Sequence, residues 1–225
     1  MSSRKVPVVT NQIYHIFNRG VDKAKIFFHK EDYERFLAAA IHYRTKTSKF
    51  SYEQLLGIGT NDPGSLRSLR TLKLGSSERP FVQILAYCLM PNHFHFLIKQ
   101  LVDAGLTSYL QRLTNSYAHY INMKYERVGP LFQGRFKNVL IESDPQLLHV
   151  SRYIHLNPLV SNLATDLESY RWSSHQSYVG DHKGGLCDPK MILDHFKSKG
   201  DYQRFVLDQA DYARTLEDIK HLAFD

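Results

Sequence analysis

Residues 81–90, Phe-Val-Gln-Ile-Leu-Ala-Tyr-Cys-Leu-Met, are almost wholly apolar, and Pro91-Asn92 and an alternating segment from His93 to Lys99 follow at once. So short an apolar run, bounded by a turn signal, predicts a central strand covered on both faces. The Pro-Asn pair turns the chain. The returning strand then places Phe94, Phe96 and Ile98 on one face and His93, His95 and Leu97 on the other, because side chains alternate along a strand. A buried antiparallel hairpin is therefore required, and two imidazoles share one of its faces.

The remaining elements are read around that hairpin. Gln12 to Asn18 alternates as a strand closed by Gly20, and Asp32 to Arg44 spaces Tyr33, Phe36, Leu37, Ala40 and Ile41 as an amphipathic helix. Leu106, Leu110, Leu113, Tyr117 and Ile121 predict a long helix over 107–126, with Arg112 on its more exposed side and Gly129-Pro130 beyond its end. Phe132 to Glu142 reads as a strand with Arg135 and Lys137 on one face. Ser143-Asp144-Pro145 starts a further helix that Pro158 is expected to stop near Asn157. The order strand, helix, strand, strand, helix, strand, helix predicts an α+β, ferredoxin-like antiparallel sheet with helices packed on one face. A main domain over 1–160 is expected, interrupted by a flexible basic insertion at 57–80 that holds Arg67, Arg70 and Lys73. A small helical extension is expected over 161–225.

Composition narrows the function. The 225 residues are 43% hydrophobic, enough for a packed core. No apolar run reaches the length of a membrane helix, and Met1-Ser2-Ser3-Arg4-Lys5 lacks the apolar stretch of a signal peptide. A soluble, cytoplasmic protein is expected. Two cysteines, Cys88 and Cys187, exclude a disulfide framework and a cysteine zinc finger. Lys and Arg number 29 against 22 Asp and Glu, an excess that favours polyanionic partners such as nucleic acid.

Chemistry enters through two features. His93 and His95 are two apart on a strand and can bind one ion together, although histidines at this spacing also arise as ordinary satisfied residues. In the helix that starts at Pro145, the apolar stripe of Leu147, Val150 and Ile154 is flanked by His149, Tyr153 and Asn157, each four residues from the next. A tyrosine nucleophile and an amide-oxygen ligand would need that arrangement to face one metal, and a helix edge with a hydrogen-bonded tyrosine would show it too.

Taken with those features, the sequence resembles a family. Tyr87-Cys88-Leu89-Met90-Pro91-Asn92-His93-Phe94-His95-Phe96-Leu97 is similar to the His-hydrophobe-His motif of single-tyrosine transposases. Arg152-Tyr153-Ile154-His155-Leu156-Asn157-Pro158 resembles the tyrosine helix of the REP-associated tyrosine transposases among them. Tyr14-His15-Ile16-Phe17-Asn18-Arg19-Gly20, Gly129-Pro130-Leu131-Phe132-Gln133-Gly134-Arg135-Phe136 and Tyr170-Arg171-Trp172-Ser173-Ser174 extend the likeness, in the family's order, over roughly 11–178. The insertion and the tail after Gly180 match nothing in that pattern.

The resemblance implies cleavage and rejoining of single-stranded DNA at palindromic repeat hairpins by transesterification. It makes Tyr153 the nucleophile, His93 and His95 metal ligands, and Asn157 the third ligand in preference to His149. An amide oxygen beside two neutral imidazoles suits Mg²⁺ or Mn²⁺, with zinc the competing assignment. Arg19, Lys23, Lys25, Arg112, Arg135 and Lys137 are the expected DNA contacts, and Trp172 is either core or a base-stacking platform. Two other readings are a hairpin-binding protein without turnover and an RNA-binding ferredoxin-like module. The latter leaves both histidines without a role. Monomer and homodimer stay open.

Overall fold

The computed structural model describes residues 7–45, 80–180 and 185–209. Positions 57–79 of the expected insertion, with Arg67, Arg70 and Lys73, lie outside the described residues. The elements run β1 (Ile13–Arg19), α1 (Lys30–His42), β2 (Val82–Met90), β3 (His93–Gln100), α2 (Gly105–Lys124), β4 (Lys137–Ile141), α3 (Asp144–Val160), α4 (His175–Val179), α5 (Lys190–Leu193) and α6 (Lys199–Leu207). The four strands form one sheet in the order β2-β3-β1-β4, antiparallel throughout, which is the ferredoxin-like arrangement expected from the sequence.

The helices do not share one face. Tyr14, Ile16, Phe94, Phe96 and Ile98 pack against α1 and α2 through Phe36, Leu106, Tyr109, Leu110 and Tyr117. Leu97, of opposite parity on β3, belongs to a second core with Leu147, Ile154, Leu156 and Leu159 of α3. Expecting helices on one face was therefore an error for α3. The reason lies in β2, which is apolar on both sides and exposes large hydrophobic area unless both are covered, at roughly 1.5–3 kcal/mol for each large side chain. A bulge between Ile84 and Ala86 turns both Leu85 and Ala86 toward the α3 core.

β2 is an edge strand of the sheet rather than its centre. Its burial comes from the segment after α3: Leu89 N–H donates to the Trp172 carbonyl at 2.9 Å, Ser174 N–H to Tyr87 at 2.9 Å, and Asp188 N–H to Ile84 at 2.8 Å. The carbonyl of the bulged Leu85 accepts from Tyr178 Oη at 2.6 Å and from Cys187 Sγ at 2.8 Å. A free strand edge is thus sealed by the chain's own extension. Trp172 stacks on Tyr33, ring centroids 4.5 Å apart, and so serves as packing.

Two further expectations differ. β4 spans only Lys137–Ile141, because Gly134 adopts a positive φ of 129° and the chain before it crosses the end of β1, with Gln133 N–H donating to Arg19 at 2.8 Å. Helix α3 starts as read, with Ser143 Oγ accepting from Gln146 N–H, but it continues through Pro158 to Val160. Pro158 removes one helical hydrogen bond, and burial of Leu156 and Leu159 holds the last turn on the sheet.

A buried polar seam joins α3 to the extension. His155 Nδ1 lies 2.7 Å from Tyr202 Oη and its Nε2 2.7 Å from Ser174 Oγ, while Tyr202 Oη also reaches Ser151. Burial holds His155 well below the usual histidine range and lowers His175 to about 4. The native chain therefore binds fewer protons than the unfolded chain once pH falls below 6.5, so these groups contribute full stability above that value and lose it on acidification. Urea unfolding followed by circular dichroism is expected to show a flat midpoint above about pH 7 and a decline below it, at up to about 1.4 kcal/mol per pH unit for each such histidine. A chain more stable in mild acid than at neutral pH would contradict this seam.

Candidate active site

The sheet register decides which side chains meet. Phe17 of β1 pairs with His95 of β3 and with Lys137 of β4, while Arg19 pairs with His93 and His15 with Leu97. Directly opposed residues share a face, so His15, Phe17, Arg19, His93, His95 and Lys137 all lie on the face that α3 covers. The packing of Leu147 and Ile154 lays α3 along that face. Tyr153, one residue before the buried Ile154, then stands at the margin, 51% exposed. Its ring is edge-on to His95, centroids 5.5 Å apart, and edge-on to His15 at 5.9 Å.

The two histidines of the hairpin differ in partners. His93 and His95 are at right angles with centroids 4.9 Å apart. Asn92 donates through Nδ2 to the Lys23 carbonyl at 3.0 Å, which leaves Oδ1 to accept Nδ1–H of His93 at 2.6 Å. The Nε2 of His93 then carries its lone pair. His95 is buried, its Nδ1 faces His15, and its Nε2 has no hydrogen-bond partner. Burial lowers His15 to about 4, and burial followed by the charge of Arg19 lowers His93 to about 4. Burial, then the neighbouring His93, His15 and Arg19, holds His95 well below the usual range. All three rings are neutral at pH 7, the form in which imidazole ligates a cation.

Asn157 and His149, the two candidates for a third donor, are held differently. Asn157 is buried at the cleft and donates through Nδ2 to the Tyr153 carbonyl at 2.7 Å, so its remaining amide atom is an oxygen acceptor. His149 is exposed, lies 2.5 Å from an Arg152 nitrogen through Nδ1, and leans on Phe205 of α6. Among the described residues, no group of three or more His, Cys, Asp or Glu is arranged to hold a metal. A site here would consist of His93, His95 and the oxygen of Asn157.

These groups open on a cleft of about 1030 Å³. Its wall carries six cationic side chains, Arg19, Lys23, Lys25, Arg135, Lys137 and Arg152, and no carboxylate among the described residues. Five of the six were expected from the sequence. Arg152 was not, and it is partly engaged, with its guanidinium 4.3 Å from the Phe205 ring centroid. Arg112 is not brought to the cleft: it lies on α2, on the far side of the sheet, 5.0 Å over the Tyr43 ring and donating to the Thr45 carbonyl. Helical periodicity showed that it was not core but could not show which way the exposed side faced.

Backbone ties hold the basic loop to the hairpin turn. Gly20 N–H donates to Asn92, and Ile26 and Phe27 N–H both donate to Pro91. A Cβ on Gly20 would lie 2.2 Å from the Ala24 carbonyl oxygen, so only glycine lets the loop close this tightly. Asn18 fixes the other wall, donating to the Gly134 carbonyl at 3.0 Å. Arg135→Ala is expected to weaken binding of a single-stranded oligonucleotide and to reduce the slope of log affinity against log salt by about 0.7 for each phosphate that the variant no longer neutralises. Arg112→Ala should leave both unchanged. Equal losses in titrations of the two variants would mean that the cleft is not the binding surface.

Comparison with known proteins agrees with this arrangement. Residues 66–157, which include β2, β3, α2, both hairpin histidines and Tyr153, match the family described as "Transposase IS200 like". A solved structure titled "Structure of the REP associates tyrosine transposase bound to a REP hairpin" superposes with a TM-score of 0.55 at 15% identity, covering 84% of this chain and 94% of that one. A search of curated proteins gives no match. Among the described residues, no helix is long and apolar enough to cross a membrane. Over residues 66–157 the chain is thus similar to the IS200-like transposases, and its fold is that of the solved REP-associated tyrosine transposase.

Proposed function

We propose that the chain is a metal-dependent single-stranded DNA strand transferase, which cuts and rejoins palindromic repeat hairpins through a 5′-phosphotyrosine intermediate. The observation that carries this reading is the placement of the half-exposed Tyr153 over His95 on a cleft wall whose charged side chains, among the described residues, are all positive. The solved relative with this fold is described as bound to a REP hairpin, which supports the substrate class.

Arg19, Arg135 and Lys137 hold the strand by its phosphates. The Tyr153 oxygen gives up its proton to solvent and attacks phosphorus, a new phosphorus–oxygen bond forms, the bond from phosphorus to the 3′ oxygen breaks, and that oxygen takes up a proton from solvent. The phosphodiester is conserved as a tyrosyl ester, so the free 3′-OH can reverse the step without ATP. A free phenol titrates near 10, so its anion costs about 4 kcal/mol at neutral pH, and the cationic wall offsets part of that. His93, His95 and the Asn157 oxygen would hold Mg²⁺ or Mn²⁺, and the unpartnered buried Nε2 of His95 fits such a group. When bound, the ion polarises the scissile phosphate.

Tyr153→Phe keeps the ring and removes the nucleophile. It should retain fold and hairpin affinity and lose cleavage by at least about a thousandfold, the scale expected when the attacking group is deleted. Cleavage at the wild-type rate on a labelled hairpin oligonucleotide would end the proposal. For the third donor, Asn157→Ala is expected to shift the Mg²⁺ dependence of cleavage to several-fold higher concentration. His149→Ala should leave it in place. If only the His149 variant needs more Mg²⁺, the oxygen donor has been misassigned.

A further inference from the structure

The contact between His15 and His95 has no part in the steps above. His15 Nε2 lies 2.9 Å from His95 Nδ1, and the rings stack with centroids 5.1 Å apart. The sheet enforces this meeting. His15 pairs with Leu97 and His95 with Phe17, so the two are diagonal neighbours on adjacent strands and the same face. Two neutral imidazoles facing each other in this way share one proton, so one ring donates and the other accepts.

The direction of that hydrogen bond fixes what His95 presents to the cleft. If His15 were the donor, His95 would carry its own proton on Nε2, a buried atom with no partner. An N–H stranded there would cost free energy and aim a proton at the place a cation would occupy. If His95 is the donor, Nε2 is a bare lone pair. His15 then carries its proton on Nδ1, which is not among the buried atoms lacking a partner, so no donor is stranded. His93 reaches the same state by other means, through the Asn92 oxygen.

We infer that His15 is a positioning residue: it accepts Nδ1–H from His95 and so fixes the tautomer in which His95 Nε2 is the donor to a divalent cation. This rests on the cation reading proposed above. An acceptor behind each histidine, an amide oxygen in the turn for His93 and an imidazole on the neighbouring strand for His95, leaves both rings with Nε2 free.

Nitrogen-15 NMR of the histidine rings in the metal-free full chain at neutral pH reads the tautomer directly. The expected result is His95 protonated on Nδ1, and His95 protonated on Nε2 overturns the inference. Calorimetric titration with Mn²⁺ gives a second reading. His15→Phe keeps an aromatic ring without an acceptor and should lower Mn²⁺ affinity about 10- to 100-fold, the usual scale for a partner behind a metal ligand. His15→Gln, whose side-chain oxygen can accept, should recover most of it. Wild-type affinity in His15→Phe, or no recovery in His15→Gln, overturns the inference, and if the Phe variant does not fold, the wild-type tautomer and the Gln variant still decide. A wild-type chain that binds no Mn²⁺, or binding undiminished in His93→Ala, overturns the cation reading instead, while the tautomer in the metal-free chain is judged on its own.

Discussion

Everything at the site depends on the second face of the sheet being covered. β3 alternates Phe94, Phe96 and Ile98 against His93, His95 and Leu97, and a helix pair buries only the first set. Leu97, Leu85 and Met90 require apolar cover on the other side, and α3 supplies it through Leu147 and Ile154. The same contact sets Tyr153 beside His95, because adjacent residues on a helix lie about 100° apart and the neighbour of a buried position reaches the margin. Packing and site geometry are thus coupled: a substitution that loosened α3 would move Tyr153 relative to the histidines.

The extension after α3 serves that contact. It pairs with the outer edge of β2, caps the bulge carbonyl of Leu85, and clasps α3 from behind through Tyr202 and Ser174 on His155. His155 lies two residues from Tyr153, yet it points into the core, so the Tyr-Ile-His-Leu-Asn segment divides between two tasks. Tyr153 and Asn157 face the cleft, and His155 anchors the helix that carries them.

Much of this was legible in the sequence, for identifiable reasons. The β2–β3 hairpin followed from an apolar run, a turn and strict alternation, and the parity of His93 and His95 followed with it. The Ser143 cap and the flank of His149, Tyr153 and Asn157 were readable because helical spacing is local. What failed was long-range. The contact of His15 with His95 depends on strand register, which local periodicity does not encode, although His15 stands in one of the segments that carry the family resemblance. That Arg112 lies away from the cleft was not readable, because exposure does not name a face of the molecule. The end of α3 was misread at Pro158 because burial of Leu156 and Leu159 outweighed the absence of one hydrogen bond. Helices cover both faces of the sheet because β2 is apolar on both sides.

In the proposed reaction the phenolic oxygen of Tyr153 becomes joined to DNA. Incubating the full chain with Mn²⁺ and a single-stranded hairpin oligonucleotide, then digesting and mapping the adduct by mass spectrometry, tests it directly. The expected product is one nucleotide-bearing peptide, modified at Tyr153 through the 5′ phosphate of the downstream fragment, with a free 3′-OH on the other fragment. A DNA adduct on a different residue, or cleavage that leaves a 5′ phosphate and no covalent protein, would contradict it.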